Sequence, residues 1–244
     1  MATLFVSDLH LCPSRPLSAR LFLDFLQGPA RGAEALYLLG DLFEYWAGDD
    51  DLDDPFNAGV CAALRAVSAA GIPLYFMAGN RDFLAGETFA RSTGVKLLPD
   101  PALVEVAGTT TLLMHGDTLC SDDLSYQAFR AEVRSAEWQR AFLALPLSQR
   151  KARIEALRRE SEAQKRIKPP QIMDVNFDAV LRALTSHRCS RLIHGHTHRP
   201  AMHLLQIDGR PCERWVLPDW YEKGGYLACD AVGCRLLEWP AVTA

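Results

Sequence analysis

Apolar residues along this chain gather in short unbroken runs, and each run stops at a polar or charged cluster. Continuous runs of this kind predict strands buried on both faces, whereas half-exposed strands alternate. Residues 3–7 form the first strand and lead into Asp8 and His10. Ala35–Leu39 ends at Gly40-Asp41, and Pro73–Met77 ends at Gly79-Asn80-Arg81-Asp82. Thr111–Met114 ends at His115, and Arg191–Ile193 ends at His194-Gly195-His196-Thr197-His198. Between the runs the period changes. Leu21, Phe22, Phe25 and Leu26 predict a helix over 18–26, Asn57–Ala70 a second one ended by Gly71 and Pro73, and Phe83–Ser92 a short third. Strands at 102–106 and 110–114 flank a turn at Gly108, Met173–Thr185 is helical, and 213–218, 225–230 and 234–238 read as strands. Strands alternating with helices predict an α/β fold that takes its ligand at the carboxyl ends of the strands.

One stretch breaks this rhythm. From residue 122 to about 172 the pattern is helical, with Tyr126, Phe129, Val133, Trp138, Phe142, Leu143, Ile154 and Leu157 as apolar positions. Pro146 separates two helices, and Pro169-Pro170 closes the stretch. It reads as a helical insertion within a single domain spanning 1–244, large enough to cover a site. Residues 124–170 carry eleven Lys or Arg against five Glu, a net of +6, while the whole chain is −4. A cationic segment on an acidic body points to an anionic partner. It lacks the basic–aromatic interleaving of a nucleic-acid module, so nucleic acid is not expected, and no obligatory protein partner is evident.

Other features restrict the setting. No apolar run reaches the roughly 18–20 residues needed to span a bilayer, and Met1-Ala2-Thr3 leads straight into a strand without a signal-peptide pattern. The expectation is a cytoplasmic protein that at most lies on a membrane surface. The seven cysteines are dispersed and form no CxxC pair, which predicts reduced, mostly buried thiols rather than a disulfide framework or a structural zinc site. The acidic loop 49–55 reads as a solvated turn before a helix, one carboxylate capping it, since it lacks the glycine and glutamate of a calcium loop.

The chemistry lies at the strand ends. Asp8, His10, Asp41, Asn80, His115, His196 and His198 offer carboxylate, imidazole and amide ligands without a cysteine, a set that suits Mn²⁺, Fe²⁺, Co²⁺ or Zn²⁺. Seven ligands exceed one tetrahedral ion and fit two octahedral ions that share a carboxylate. Asp-x-His and His-x-His would place alternate side chains on the same side of an extended loop, so that paired ligands converge.

Taken in order, Asp8-Leu9-His10, Gly40-Asp41, Gly79-Asn80-Arg81-Asp82, His115 and Gly195-His196-Thr197-His198 resemble the five sequence blocks of the calcineurin-like metallophosphoesterases. The resemblance implies a two-sheet β-sandwich flanked by helices, with a dinuclear centre at the strand ends. It implies one metal on Asp8, His10, Asp41 and His198, a second on Asn80, His115, His196 and the bridging Asp41. Cations held about 3.5–4 Å apart acidify a water and clamp phosphoryl oxygens. Asp82 and Glu44 either orient ligands from behind or fill ordinary turn and surface roles. His194 lies outside the ligand set.

The third block narrows the substrate. Where related enzymes carry a histidine after the asparagine, this chain has Arg81. An alkoxide leaving group, with a pKa near that of water at about 15.7, benefits from a general acid. A phosphate with a pKa of about 6 needs none. Arginine holds its proton but neutralises a second phosphate through its fork, so Arg81 favours pyrophosphate cleavage. Longer blocks agree: Leu39–Glu44, Gly79–Leu84, Met114–Cys120, Ile172–Asn176 and Ile193–Pro200 resemble the family of UDP-2,3-diacylglucosamine hydrolases. That resemblance implies water attack on the α-phosphorus with two Mn²⁺ ions, releasing lipid X and UMP in lipid A biosynthesis at the cytoplasmic face of the inner membrane. It implies catalytic roles for Asn80, Arg81 and Asp41, and substrate contacts from Asn80, Arg81, Asp123, Ser161, Lys165, Lys168 and His196. The alternative is another dinuclear-metal phosphodiesterase or phosphatase of the same fold.

Overall fold

The computed structural model describes residues 1–165 and 172–240, with the side chains of Glu162, Gln164 and Lys165 left out. Two sheets face one another. The first has strand order β11-β10-β1-β2-β3-β4, where β1 is Thr3–Val6, β2 Ala35–Leu39, β3 Leu74–Met77, β4 Lys96–Leu98, β10 Gly224–Asp230 and β11 Gly233–Trp239. Strands β1 to β4 run parallel, and β10 and β11 close one edge as an antiparallel hairpin. The second sheet has order β5-β6-β7-β9-β8, from β5 (Ala102–Val106), β6 (Thr109–Met114), β7 (Arg191–His194), β8 (Ala201–Ile207) and β9 (Arg210–Val216). Its central strands β6, β7 and β9 are parallel.

The unbroken apolar runs are explained by burial on both faces. Phe5, Tyr37, Leu39 and Met77 turn inward and meet Leu113, Ile193 and Trp215 of the second sheet. Their neighbours Leu4, Val6, Leu36, Leu38 and Phe76 turn the other way. They pack under α1 (Pro16–Gln27), α2 (Pro55–Ala69) and α3 (Glu87–Thr93) through Phe22, Phe25, Leu64 and Phe89. On the far side, Leu112, Met114 and Leu192 are covered by Val180 and Leu184 of one helix. The layers are therefore helix, sheet, sheet, helix, the arrangement expected of a calcineurin-like fold.

Between the parallel neighbours β6 and β7 lie α4 (Leu124–Val133), α5 (Ala136–Leu143) and α6 (Leu147–Lys165), followed by α7 (Phe177–Ser186), the helix that covers the second sheet. The sequence predicts two helices split at Pro146; a further break falls at Arg134-Ser135, because the Ser135 side chain accepts from Trp138 N–H and starts a new helix. The predicted helix from Met173 begins only at Phe177, where Asn176 caps it through Ala179 N–H. The three-residue strand β4 and the half-exposed edge strand β8 are not among the strands that the sequence pattern predicts.

Two further expectations are corrected. Cys229 and Cys234 are bonded to one another. They are register partners across β10 and β11 with Cα atoms 4.0 Å apart, a proximity that sequence spacing does not reveal. The acidic loop is not simply solvated. Asp54 caps α2, but Asp49 accepts from Gly86, Thr88 and Phe89 N–H and so caps α3. Asp50 pairs with Arg150, and buried Asp51 with Lys151 at 2.6 Å. The loop is a tether for the helical segment rather than a free turn.

Candidate metal centre

Parallel strands deliver their carboxyl ends to one edge of the sandwich. β1 supplies Asp8 and His10, β2 Asp41, β3 Asn80, β6 His115 and β7 His196 and His198. Backbone bonds lash these ends together. Asp8 N–H donates to Gly40 C=O at 3.1 Å and His10 N–H to Asp41 C=O at 2.9 Å within the first sheet. Gly195 N–H donates to His115 C=O at 2.9 Å within the second. The sheets are joined across the seam by His115 Nδ1–H to Leu39 C=O at 2.9 Å and by His196 N–H to Asp8 Oδ2 at 2.8 Å.

Ligand convergence is not achieved by an extended loop, as the sequence suggests. Asp8, His10, Asp41, His196 and His198 all have positive φ, between 48° and 69°. Non-glycine residues rarely hold this conformation, and each costs about 1–3 kcal/mol that the surrounding structure must offset. Such strain clusters at functional sites. Two glycines make room for it. A Cβ on Gly40 would lie 2.5 Å from His115 Nδ1, and one on Gly195 would collide with Ser7 Oγ and Asp8 Oδ2.

All seven predicted residues meet. His10 Nε2 lies 3.7 Å from Asp41 Oδ2 and 3.4 Å from His198 Nε2, and His198 Nε2 lies 3.4 Å from Asp8 Oδ1. His115 Nε2 is 3.8 Å from Asp41 Oδ1, and Asn80 Oδ1 sits 2.9 Å from both His115 Nε2 and His196 Nδ1. Asp8, His10 and His198 form one compact group, and Asp8, Asp41 and His115 another. The donor chemistry fits a pair of cations. His115 Nδ1–H donates to a carbonyl, so with the ring neutral, as a metal ligand must be, the Nε2 lone pair would face the Asn80 oxygen, acceptor against acceptor. Asp8 Oδ1 is buried with no hydrogen-bond donor of its own. A cation between such atoms removes the repulsion.

Charge is concentrated here. Burial pushes the Asp41 carboxyl up to about 7, with Asp82 and Asp8 adding to the rise and His115 opposing it. Burial would also raise Asp8, yet His198, with its Nε2 3.4 Å away, and His115 and His10 behind it hold Asp8 well below the usual carboxylate range. Burial would lower His115, but Asp41, Asp117 and Asp8 lift it to about 9. Burial dominates at His196 and brings it down to about 3.

Surrounding groups fix these positions. Asp82 accepts from the backbone N–H groups of Asp41, Leu42 and Gly79, at 3.3, 2.7 and 2.8 Å, so it ties the β2 turn to the β3 turn. Glu44 lies 3.5 Å from His10 Nδ1. His194 stands apart from the cluster: its Nδ1–H donates to Gly195 C=O at 2.9 Å, while Nε2 accepts from Arg214 Nη1 at 3.2 Å. Arg81, Asp123 and Ser161 all border a cleft of about 590 Å³ that also reaches Asn80, His196 and His198. Asp123 caps α4 through Tyr126 N–H at 3.1 Å. The Lys165 side chain and Lys168 lie outside the described residues.

Sequence reasoning counted Tyr126 as an apolar position of the helical segment and passed over Arg158. Tyr126 instead stacks beside His196, with ring centroids 5.9 Å apart, and its hydroxyl donates to Asp117 Oδ2 at 2.8 Å. Arg158 borders the cleft and donates to Glu44 at 2.6 Å. The signal for Tyr126 lay in Asp117, two residues after His115, a buried carboxylate that needs a donor.

Comparison with known proteins agrees with this geometry. The calcineurin-like phosphoesterase family model matches residues 1–200. A UDP-2,3-diacylglucosamine hydrolase of Aromatoleum aromaticum is 55% identical over 233 residues, covering 96% of this chain and 95% of that protein. A protein of the same name from Xanthomonas oryzae pv. oryzae is 50% identical over 243 residues (97% and 98%), and one from Escherichia fergusonii is 49% identical over 240 (98% and 100%). Strand-end ligands, family match and near full-length identity together mean that the chain belongs to the calcineurin-like phosphoesterase family, in the group of the UDP-2,3-diacylglucosamine hydrolases.

Proposed function

We propose that the chain hydrolyses the pyrophosphate bond of UDP-2,3-diacylglucosamine, giving 2,3-diacylglucosamine 1-phosphate and UMP. The observation that carries this reading is the composition of the cleft. Its lining is cationic through Arg81, Arg130, Arg134 and Arg158 and apolar through Phe83, Trp138, Phe142 and Leu157. A diphosphate joined to a two-chain lipid presents the same two kinds of surface.

Asp8, His10, Asp41 and His198 would hold one divalent cation, and Asp41, Asn80, His115 and His196 the other, Mn²⁺ being the ion proposed. Such a pair, when bound, supplies Lewis acidity toward the phosphoryl oxygens and toward a water. The chain's own residues do the rest. Arg81 lines the cleft next to Asn80, and its backbone N–H is fixed on Asp41 Oδ1 at 2.8 Å, so its fork is set to neutralise the departing sugar phosphate. That group leaves as a phosphate and needs no proton from the protein. Asn80 and His196 orient the α-phosphate, and Tyr126 and Ser161 shape the wall on the sugar side.

The helical segment 122–172 acts as a lid. Its apolar residues would shelter the acyl chains, and Asp123, Ser161, Lys165 and Lys168 would contact the substrate. The lipid substrate is met at the cytoplasmic face of the inner membrane, where the segment's net positive charge favours an anionic leaflet. No described helix is long and apolar enough to cross a membrane.

The test is incubation with UDP-2,3-diacylglucosamine and Mn²⁺ in ¹⁸O-labelled water. Label in UMP supports attack at the α-phosphorus, label in lipid X moves the attack to the β-phosphorus, and no UMP at all rejects the reading.

A further inference from the structure

Beside the large cleft lies a second, smaller pocket of about 280 Å³, bordered by Asp174, Thr197, Arg199, His203 and Arg214. The two share Thr197 and Arg199, so they meet at the turn that carries His196 and His198. Its volume is close to the lower end for small-molecule sites, roughly 300 Å³, and too small for acyl chains. Its wall is made of residues to which the reaction so far assigns no task. Asp174 comes from Ile172–Asn176 and pairs with Arg199 from the block ending at Pro200. His203 and Arg214 are register partners across β8 and β9.

Arg214 is the unusual member. It is half-buried, yet among the described residues no carboxylate forms an ion pair with it; its contact is with the neutral Nε2 of His194. A desolvated guanidinium without a counter-charge is costly unless something anionic or strongly accepting arrives. Burial holds the Arg214 pKa below its ordinary value, with Asp174 opposing.

We propose that this pocket is the subsite for the nucleoside monophosphate half of the substrate, with Arg214 and His203 as its recognising residues. The inference rests on the pyrophosphatase reading given above. With the diacylated sugar in the large cleft and the α-phosphate at the ligand cluster, the nucleoside must leave on another side. The small pocket opens at the same turn. A pyrimidine presents two carbonyls and one N–H, and the ribose presents hydroxyls. Arg199 and Arg214 donate to carbonyl and phosphate oxygens, Asp174 accepts from N–H or hydroxyl, and His203 does either. His194 is thereby a positioning residue, since its Nε2 lone pair aims Arg214 while its Nδ1–H holds Gly195.

The test is calorimetric titration of the Mn²⁺-loaded protein with UMP, with lipid X and with inorganic phosphate. Arg214→Met and His203→Ala are each expected to weaken UMP by about tenfold or more, the usual loss for a charged or buried hydrogen bond. They should leave lipid X within about twofold and manganese content unchanged, and Arg214→Lys should recover part of the UMP affinity. Unchanged UMP affinity in both variants overturns the inference. So does equal weakening of UMP and lipid X, which reports a disturbed metal loop, or an equal loss for phosphate and UMP, which reports an anion pocket only. Failure of the pyrophosphatase reading is told apart because it shows in the wild-type protein, as absence of UMP release.

Discussion

Arg158 Nη2 donates to Glu44 Oε1 at 2.6 Å, across 114 residues of sequence. The other Glu44 oxygen takes Arg15 Nη1 at 2.7 Å and lies 3.5 Å from His10 Nδ1. One buried carboxylate thus joins the last helix of the cationic segment to a candidate metal ligand. The position of α6 and the surroundings of His10 thus share one carboxylate.

Glu44→Gln removes the charge from this junction and keeps its shape. Groups behind a metal ligand typically contribute 10–100-fold to metal affinity or activity. The expected result is Mn²⁺ affinity lowered by about tenfold or more, read by titration, with a raised KM for the lipid substrate. Arg158→Met should raise KM with little change in Mn²⁺ affinity. If the coupling is real, the double variant will show less than the sum of the two KM effects.

Arg81→Ala separates charge neutralisation from metal binding. Its guanidinium borders the cleft while its backbone N–H, retained in the variant, still holds Asp41 Oδ1. Turnover should fall by about 10²–10³-fold, the usual loss for a donor aimed at developing charge, with both metals retained by elemental analysis. Loss of manganese would show that Arg81 supports the site rather than the leaving group.

Asp82→Ala strips the acceptor from three backbone N–H groups at once. Leaving a buried donor unsatisfied costs about 1–3 kcal/mol each, so stability should drop by roughly 3 kcal/mol or more. Urea denaturation measures this directly. A loss below about 1 kcal/mol would mean that water replaces the carboxylate.

Chelation provides the complementary test. Metals that bind only the folded chain stabilise it by about 2.7 kcal/mol per site at a hundredfold excess over Kd. For a chain of this size that is roughly 5–10 °C in melting temperature per site. A chelator should abolish hydrolysis and lower Tm by at least that much, and Mn²⁺ should restore both. An unchanged Tm would argue against metals held by this cluster.

Much of this was legible in the sequence because it depends on local order. An apolar run that stops at Gly-Asp or His-Gly-His reads as a strand with a candidate ligand at its carboxyl end. Strand runs at 3–7, 35–39, 73–77, 111–114 and 191–193 therefore named the sheet cores and all seven converging residues. Arg81 was singled out through chemistry, an arginine where a proton donor is expected, and it borders the cleft with Asn80.

Tertiary structure decided the rest, because the causes lie between distant segments. No local pattern reveals that Cys229 and Cys234 are register partners, or that Asp49, Asp50 and Asp51 tether two helices and not a turn. The left-handed backbone at Asp8, His10, Asp41, His196 and His198 is equally hidden, since it goes with bonds between distant segments within and across the two sheets. Sequence pointed to the side chains that converge at the strand ends. Only the packing of the sheets decided how these groups face one another, that Glu44 stands between α6 and His10, and that Arg214 forms no ion pair with a described carboxylate.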